Sequence, residues 1–153
     1  MKTLLLTVSR ENVYSEVEKT TEYTGAKMLL GGDGVEHERV SATEADRELL
    51  SRFFDEAAGV ATDECKRFVE EVTLDEAGYE ARLSMSDSFD EHLSDSIRTS
   101  LRNFFVAAVI AKWCKVAGME KGEAYAADAS AAMLDVRRKL YYRKKPQRVK
   151  PKQ

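Results

Sequence analysis

Few side chains in this 153-residue chain have the types and spacing that chemistry requires. The two histidines, His37 and His92, each stand among acidic residues, which is typical of solvated surface positions. The two cysteines, Cys65 and Cys114, have no Cys or His partner at metal-ligand spacing, so the sequence predicts no metal site. They also lie far apart in the chain, and we expect both thiols to be free and buried.

The other catalytic and cofactor-binding patterns are equally weak. The glycine-rich residues 31–34 lack the lysine and hydroxyl of a nucleoside triphosphate loop, and no strand and helix flank them. No Ser–His–Asp or Cys–His grouping can be assembled, because both histidines stand in charged contexts. Carboxylates are abundant, but in so acidic a chain they indicate solvated faces. We therefore expect a protein that is not an enzyme and that uses no cofactor.

The strongest signal is a separation of charge along the chain. Of the 24 basic residues nine lie in residues 137–153, which contain no Asp or Glu. This leaves 15 basic residues against all 27 acidic ones in residues 1–136, a formal charge near −12 for the body. A cationic segment beside an acidic body usually meets something negative, whether nucleic acid, an anionic surface or another copy of the acidic body.

The cationic segment is therefore the predicted partner-binding site. Its candidate contact residues are Arg137, Arg138, Tyr141, Tyr142, Arg143, Lys144, Lys145, Arg148 and Lys150. Three interpretations remain open. The segment could contact the acidic body of a neighbouring copy, a head-to-tail arrangement that closes into rings. It could bind nucleic acid through phosphate contacts and tyrosine stacking. It could also be a solubilising end whose cations favour the negative terminus of a helix.

The elements that position this segment are predicted to be mainly helical. Residues 3–8 form either a short strand or an apolar arm. A first helix starts after an N-cap at Ser9 and ends at Gly25, and residues 30–43 form a loop. A second helix starts at a capping box, Ser41 with Glu44, and carries an apolar stripe as far as Val72.

A turn at residues 75–78 then joins Thr73 and Leu74 to an alternating strand over 79–85, which predicts a small hairpin. A third helix begins at a capping box, Ser88 with Glu91, and ends before Gly118. Its middle, FFVAAVIA, is apolar on all sides, so we expect it to be the central element. A fourth helix covers about 121–144.

Together these elements predict a mainly α fold. It consists of a four-helix bundle-like domain over residues 1–145, with a small β-hairpin insertion and an extended basic C-terminal tail over 146–153. Pro146 and Pro151 prevent regular helix in the tail. The longest apolar run, residues 104–111, is too short to cross a membrane. Residues 1–8 lack the features of a secretory signal, and we expect cytoplasmic synthesis.

Three segments carry a resemblance to a known family: VYSEVEKTTEYTGAKM (13–28), SDSIRTSLRNFFVAAVIAKW (94–113) and AAMLDVRRKLYYRKKP (131–146). With the element order, they resemble the small helical head–tail connector (adaptor, or head-completion) proteins of tailed bacteriophages and prophages. The resemblance implies a virion structural protein of the head–tail neck. Such proteins form a homo-oligomeric ring beneath the portal, contact portal and tail proteins, and let DNA pass without specific binding. The alternative is a small nucleic-acid-binding protein with a basic C-terminal arm.

Overall fold

The computed structural model describes residues 1–31, 42–148 and 151–152, and the side chains of these except at 23–31 and 44. The described part is mainly helical, with one three-stranded antiparallel sheet. The strands are β1 (Lys2–Ser9), β2 (Val69–Leu74) and β3 (Gly78–Met85). The helices are α1 (Arg10–Gly31), α2 (Arg47–Cys65), α3 (Ser94–Ala117) and α4 (Gly122–Tyr141). None of the described helices is long and apolar enough to cross a membrane.

The sheet has the strand order β1-β3-β2, with β3 in the middle. Side chains alternate along each strand, so Leu4 and Leu6 of β1 lie opposite Leu83 and Ala81 of β3 on one buried face. The opposite face carries exposed side chains that are mostly polar, with Leu5 as an apolar exception. Residues 3–8 are therefore a strand and not an apolar arm. The predicted hairpin of β2 and β3 is confirmed, but it belongs to a sheet that the first strand completes.

Helix α1 starts where the sequence predicts and ends later. The Ser9 hydroxyl accepts a hydrogen bond from the Asn12 backbone N–H at 3.3 Å, which confirms the N-cap. The helix continues to Gly31, so the prediction that Gly25 ends it is wrong. A glycine inside a helix costs only about 1 kcal/mol, so it need not end one. The predicted loop and the capping-box residue Ser41 lie largely outside the described residues.

Helix α2 is shorter than its apolar stripe predicts. A 3₁₀ turn (Glu44–Asp46) precedes it, and the Asp46 carboxylate accepts a hydrogen bond from the Thr43 backbone N–H at 2.8 Å. The helix ends at Cys65, and the last part of the stripe, as far as Val72, is strand β2. Apolar residues three and four apart also suit a strand with a β-bulge, such as the irregularity between Val69 and Glu71.

Helix α3 is the central element, since it packs against the three other helices and β1. Its Phe105 ring lies 4.8 Å from Phe54 of α2 and 5.4 Å from Tyr79 of β3, centroid to centroid. The helix ends as predicted at Gly118, which adopts a left-handed conformation (φ 70°).

The start of α3 corrects the predicted capping box. The Asp90 carboxylate caps a 3₁₀ turn (Glu91–Leu93) by accepting from the His92 backbone N–H at 3.1 Å, and the helix begins at Ser94. The Ser88 hydroxyl is instead bonded to the Ser86 hydroxyl at 3.0 Å. Helix α4 likewise ends at Tyr141, three residues before the predicted end.

The turn between β2 and β3 requires glycine at position 78, and this generates a stability prediction. Gly78 has φ 150°, and a Cβ there would lie 2.0 Å from the Val8 carbonyl oxygen. We expect Gly78→Ala to lower the free energy of unfolding by about 3 kcal/mol or more, because β1 and β3 must separate to admit the methyl group.

Urea denaturation followed by circular dichroism measures this loss. The matched control is Gly59→Ala in the exposed face of α2, where no atom lies within 4 Å of the added Cβ. That change should raise stability by about 1 kcal/mol. An unchanged midpoint for Gly78→Ala would contradict the described turn.

Candidate interaction site at the C-terminal segment

The C-terminal half of α4 positions the first predicted contact residues. Val136 and Leu140 are fully buried one turn apart, which turns the neighbouring side chains outward. Arg137 therefore reaches Glu64 near the end of α2, with 3.3 Å between Nη1 and Oε2. Arg138 is exposed and forms no hydrogen bond or ion pair with the described part of the chain. One predicted cation is thus paired on the body and the next is available to a partner.

A cluster of aromatic rings and guanidinium groups marks the end of α4. The Tyr141 ring packs edge-on against Phe68 with 5.0 Å between centroids. The Arg67 guanidinium lies over the Tyr141 ring, 5.8 Å from its centroid, and the Arg143 guanidinium lies over the Phe68 ring, 5.9 Å from its centroid. Such cation–π contacts are worth about 0.5–1 kcal/mol at exposed sites. The cluster fixes the point at which the segment leaves the body.

The chain becomes extended at Tyr142 (φ −65°, ψ 137°). Two residues later the Lys144 backbone N–H donates to the Ser88 carbonyl at 2.8 Å, and its Nζ lies 3.9 Å from the Asp90 carboxylate. Hydrogen bonds from His92, with a smaller contribution from Lys144, lower the pKa of Asp90. Residues 142–144 are therefore attached to their own body.

Beyond this attachment the cations lie free of the described body. Lys145, Arg148 and Lys152 are exposed and form no hydrogen bond or ion pair with any described residue. Tyr142 exposes about half of its side chain. Lys150 lies outside the described residues. The predicted site thus divides into a paired part (Arg137, Arg143 and Lys144) and an unpaired part.

Lys139, another cation of this segment, belongs to a polar cluster between α3 and α4 that the sequence did not reveal. Its Nζ lies 2.5 Å from both the Ser96 hydroxyl and the Asp135 carboxylate, and Asp135 also accepts from Ser100 at 2.5 Å. The Lys139 amino group therefore bridges Ser96 of α3 to Asp135 of α4, and the cluster holds these two helices together.

The cysteines are buried free thiols, as predicted. Burial raises the pKa of Cys65 to about 11, which keeps the thiol protonated and poorly nucleophilic at neutral pH. His92 is exposed and pairs with Asp90, and His37 lies outside the described residues. Within the described ranges, no three His, Cys, Asp or Glu side chains come together as a metal site would require.

Comparisons with known proteins add no assignment: no family model, curated protein or solved structure matches the chain.

The polar cluster generates a prediction about pH. Hydrogen bonds from Lys139 and Ser100 lower the pKa of Asp135 below its ordinary value of 3.8. The carboxylate therefore stabilises the fold fully above pH 3.8, and this contribution is lost as the pH falls through the lowered pKa. We expect Asp135→Asn to reduce the free energy of unfolding at pH 7, with the difference from wild type shrinking below pH 3.8.

Urea titrations at pH 7, 4 and 3 measure this difference. Asp128→Asn is the matched control, because Asp128 is an exposed carboxylate on the same helix with no hydrogen bond or ion pair to described residues. A loss that is equal at all three pH values would contradict the proposed charge pairing.

Proposed function

We propose that the protein is a non-enzymatic structural protein that assembles head to tail into a homo-oligomeric ring. In this assembly the basic segment of one copy contacts the acidic body of the next. One observation carries the proposal: Lys145, Arg148 and Lys152 project from an extended segment without partners in the described structure, while the body carries a charge near −12. The segment and the body are complementary, and a neighbouring copy supplies the missing anions.

The geometry of the segment supports contact between copies. Lys144 is attached to Ser88 and Asp90, so the unpaired cations start from a fixed point on the surface. When one patch of a chain binds a different patch on the next copy, the interface is heterologous. Such an interface closes into a ring when the rotation between neighbouring copies permits it. The four helices then form a bundle-like body that carries an extended basic arm.

The resemblance to phage head–tail connector proteins extends the proposal to a location. It implies a ring in the virion neck beneath the portal, with portal and tail proteins as further partners. An acidic body suits this place, because phosphates repelled by the channel wall would not be held as DNA passes. Most cations of the body lie close to carboxylates, as Arg82 does to Glu70 and Glu71, and are thereby neutralised.

Salt dependence tests the proposed assembly. We expect light scattering to give a mass of several copies at 50 mM NaCl and a smaller mass at 1 M NaCl, because screening weakens exposed charge pairs. The triple variant Arg148→Gln, Lys150→Gln, Lys152→Gln should remain a monomer at both concentrations.

The control variant removes three exposed cations of the body, Lys19, Lys115 and Lys121, by the same change to Gln. It should assemble like wild type, since these three cations lie outside the basic segment. A monomer at every salt and protein concentration would refute self-assembly.

Nucleic-acid binding is the second candidate, favoured by the cluster of aromatic rings and guanidinium groups at the end of α4. Arg67, Tyr141 and Arg143 form this surface, and the exposed Tyr142 lies beside it. Aromatic rings stack on bases, and cations contact phosphates. A mobility-shift assay decides the matter. This candidate requires binding at 50 mM salt that Tyr142→Ala weakens and that falls steeply with salt, and no shift at 50 mM eliminates it.

A further inference from the structure

A groove between α2 and the edge strand β2 has the shape of a strand-binding site. It has a volume of about 400 Å³. Its lining consists of Ala58, Gly59 and Thr62 of α2 and Val72 and Leu74 of β2, together with Asp55, Asp63, Lys66 and Tyr79. The helix contributes no side chain at Gly59, where a Cβ would meet no atom within 4 Å. Leu74 exposes 43% of its surface there. The accessible surface of the groove is thus mainly apolar, its one lysine, Lys66, is paired with Asp63, and it opens at the edge of the sheet.

The backbone of β2 faces this groove with groups that no described residue pairs. The Asp75 backbone N–H donates to Gly78 at 3.1 Å, and antiparallel pairing alternates from that bond along the strand. The N–H and C=O groups of Val72 and Leu74 therefore point away from β3, toward the open edge. A strand bound there would gain main-chain hydrogen bonds, as in β-strand addition.

We propose that the basic tail of a neighbouring copy binds this groove as a fourth strand, parallel to β2. The inference rests on the proposed head-to-tail assembly and names the surface that receives the tail. The occupant is argued from residues 147–152, QRVKPK, in which uncharged and cationic residues alternate strictly. In a strand such alternation places all three cations on one face and the uncharged residues on the other.

Pro151 and the three cations together select the parallel orientation, because an antiparallel strand with Pro151 turned away from β2 would place the cations in the groove. Proline cannot donate a hydrogen bond, so it must be a residue whose backbone points away from β2. In a parallel pair, the residues of the added strand that bond to Val72 and Leu74 lie opposite Glu71, Thr73 and Asp75. Their side chains therefore lie on the outer face of the sheet, as those of Glu71 and Thr73 do. If Arg148, Lys150 and Lys152 are these residues, Pro151 faces the groove and no donor is lost.

Charge favours the same register. The outer face beside this edge carries Glu71 and Glu80, and the turn adds Asp75 and Glu76. Arg82, the one cation among the outer-face residues of the two strands, pairs with Glu71, while Glu76 and Glu80 form no ion pair with described residues. Lysine and arginine side chains of the added strand would lie over these carboxylates. Gln147, Val149 and Pro151 would enter the apolar groove, which suits their smaller and uncharged side chains.

Disulfide trapping tests the arrangement on the full chain. Two singly substituted proteins, Thr73→Cys and Lys150→Cys, are mixed and oxidised. Directly opposed residues in paired strands are close enough for a disulfide, and the native cysteines are buried. We expect a disulfide-linked dimer of the two proteins on a non-reducing gel. Replacing Lys150→Cys by Val149→Cys, or Thr73→Cys by Thr7→Cys on β1, should reduce the yield at least tenfold.

Filling the groove provides the second measurement. Gly59→Phe should shift the mass at 50 mM NaCl to that of a monomer, whereas Gly59→Ala should assemble like wild type. Equal thermal melting of the two variants shows that the body remains folded.

The outcomes separate this inference from the proposed function. If the tail variant dissociates the assembly but Gly59→Phe and the crosslink have no effect, the groove is not the receiving surface. A disulfide formed only within single molecules of a Thr73→Cys/Lys150→Cys double variant also overturns the inference. If the tail variant itself leaves the mass unchanged, the head-to-tail assembly fails.

Discussion

The fold depends on one buried cation at the junction of sheet and helices. Arg10 is the first residue of α1, directly after β1, and its side chain is only 11% exposed. Its guanidinium contacts the Asp55 carboxylate of α2 at 2.6 Å, donates to the Asp75 carbonyl of the β-turn at 2.6 Å and lies 4.5 Å over the Phe54 ring. Burial alone would lower the pKa of Arg10, but hydrogen bonds with Tyr14 and Asp55 raise it. Because a buried charge is costly unless it is paired, these partners must assemble together.

Many elements could be predicted from a few adjacent residues. Pairing between strands that are far apart in the sequence could not be predicted in this way. The Ser9 cap, the Gly118 stop and the alternating strand over 79–85 each depend on a few adjacent residues, and each was predicted. The pairing of β1 with β3 joins segments about 75 positions apart, as in Leu6 with Ala81, so nothing near either strand reveals it. The predicted end of α2 was wrong for a related reason. The apolar spacing of the helix continues into β2, and only pairing with β3 shows that this last part is a strand.

The residues of the candidate site could be predicted, but which of its cations are paired on the body and which are unpaired could not. Counting charges identified the cationic segment, and no local pattern distinguishes Arg137, which forms an ion pair with Glu64, from Arg138, which forms none with a described residue. That difference follows from the rotation of α4 about its buried residues. The polar cluster around Lys139 was missed because Ser96 and Ser100 are ordinary helix residues in sequence and become its partners only through the packing of α3 against α4.

The two edges of the sheet are protected in different ways, and this difference bears on assembly. On β1 the Leu5 carbonyl points to the edge, where Arg98 of α3 donates to it at 2.9 Å. Strand β2 instead has a bulge at Glu70 and carries a second carboxylate at Glu71. Edge carboxylates repel another β2 strand and so prevent indiscriminate sheet growth, while they attract a strand that bears cations. An edge protected by charge rather than by a covering helix is therefore selective: the acidic residues that keep it from aggregating also favour the basic tail of this chain over any copy of β2.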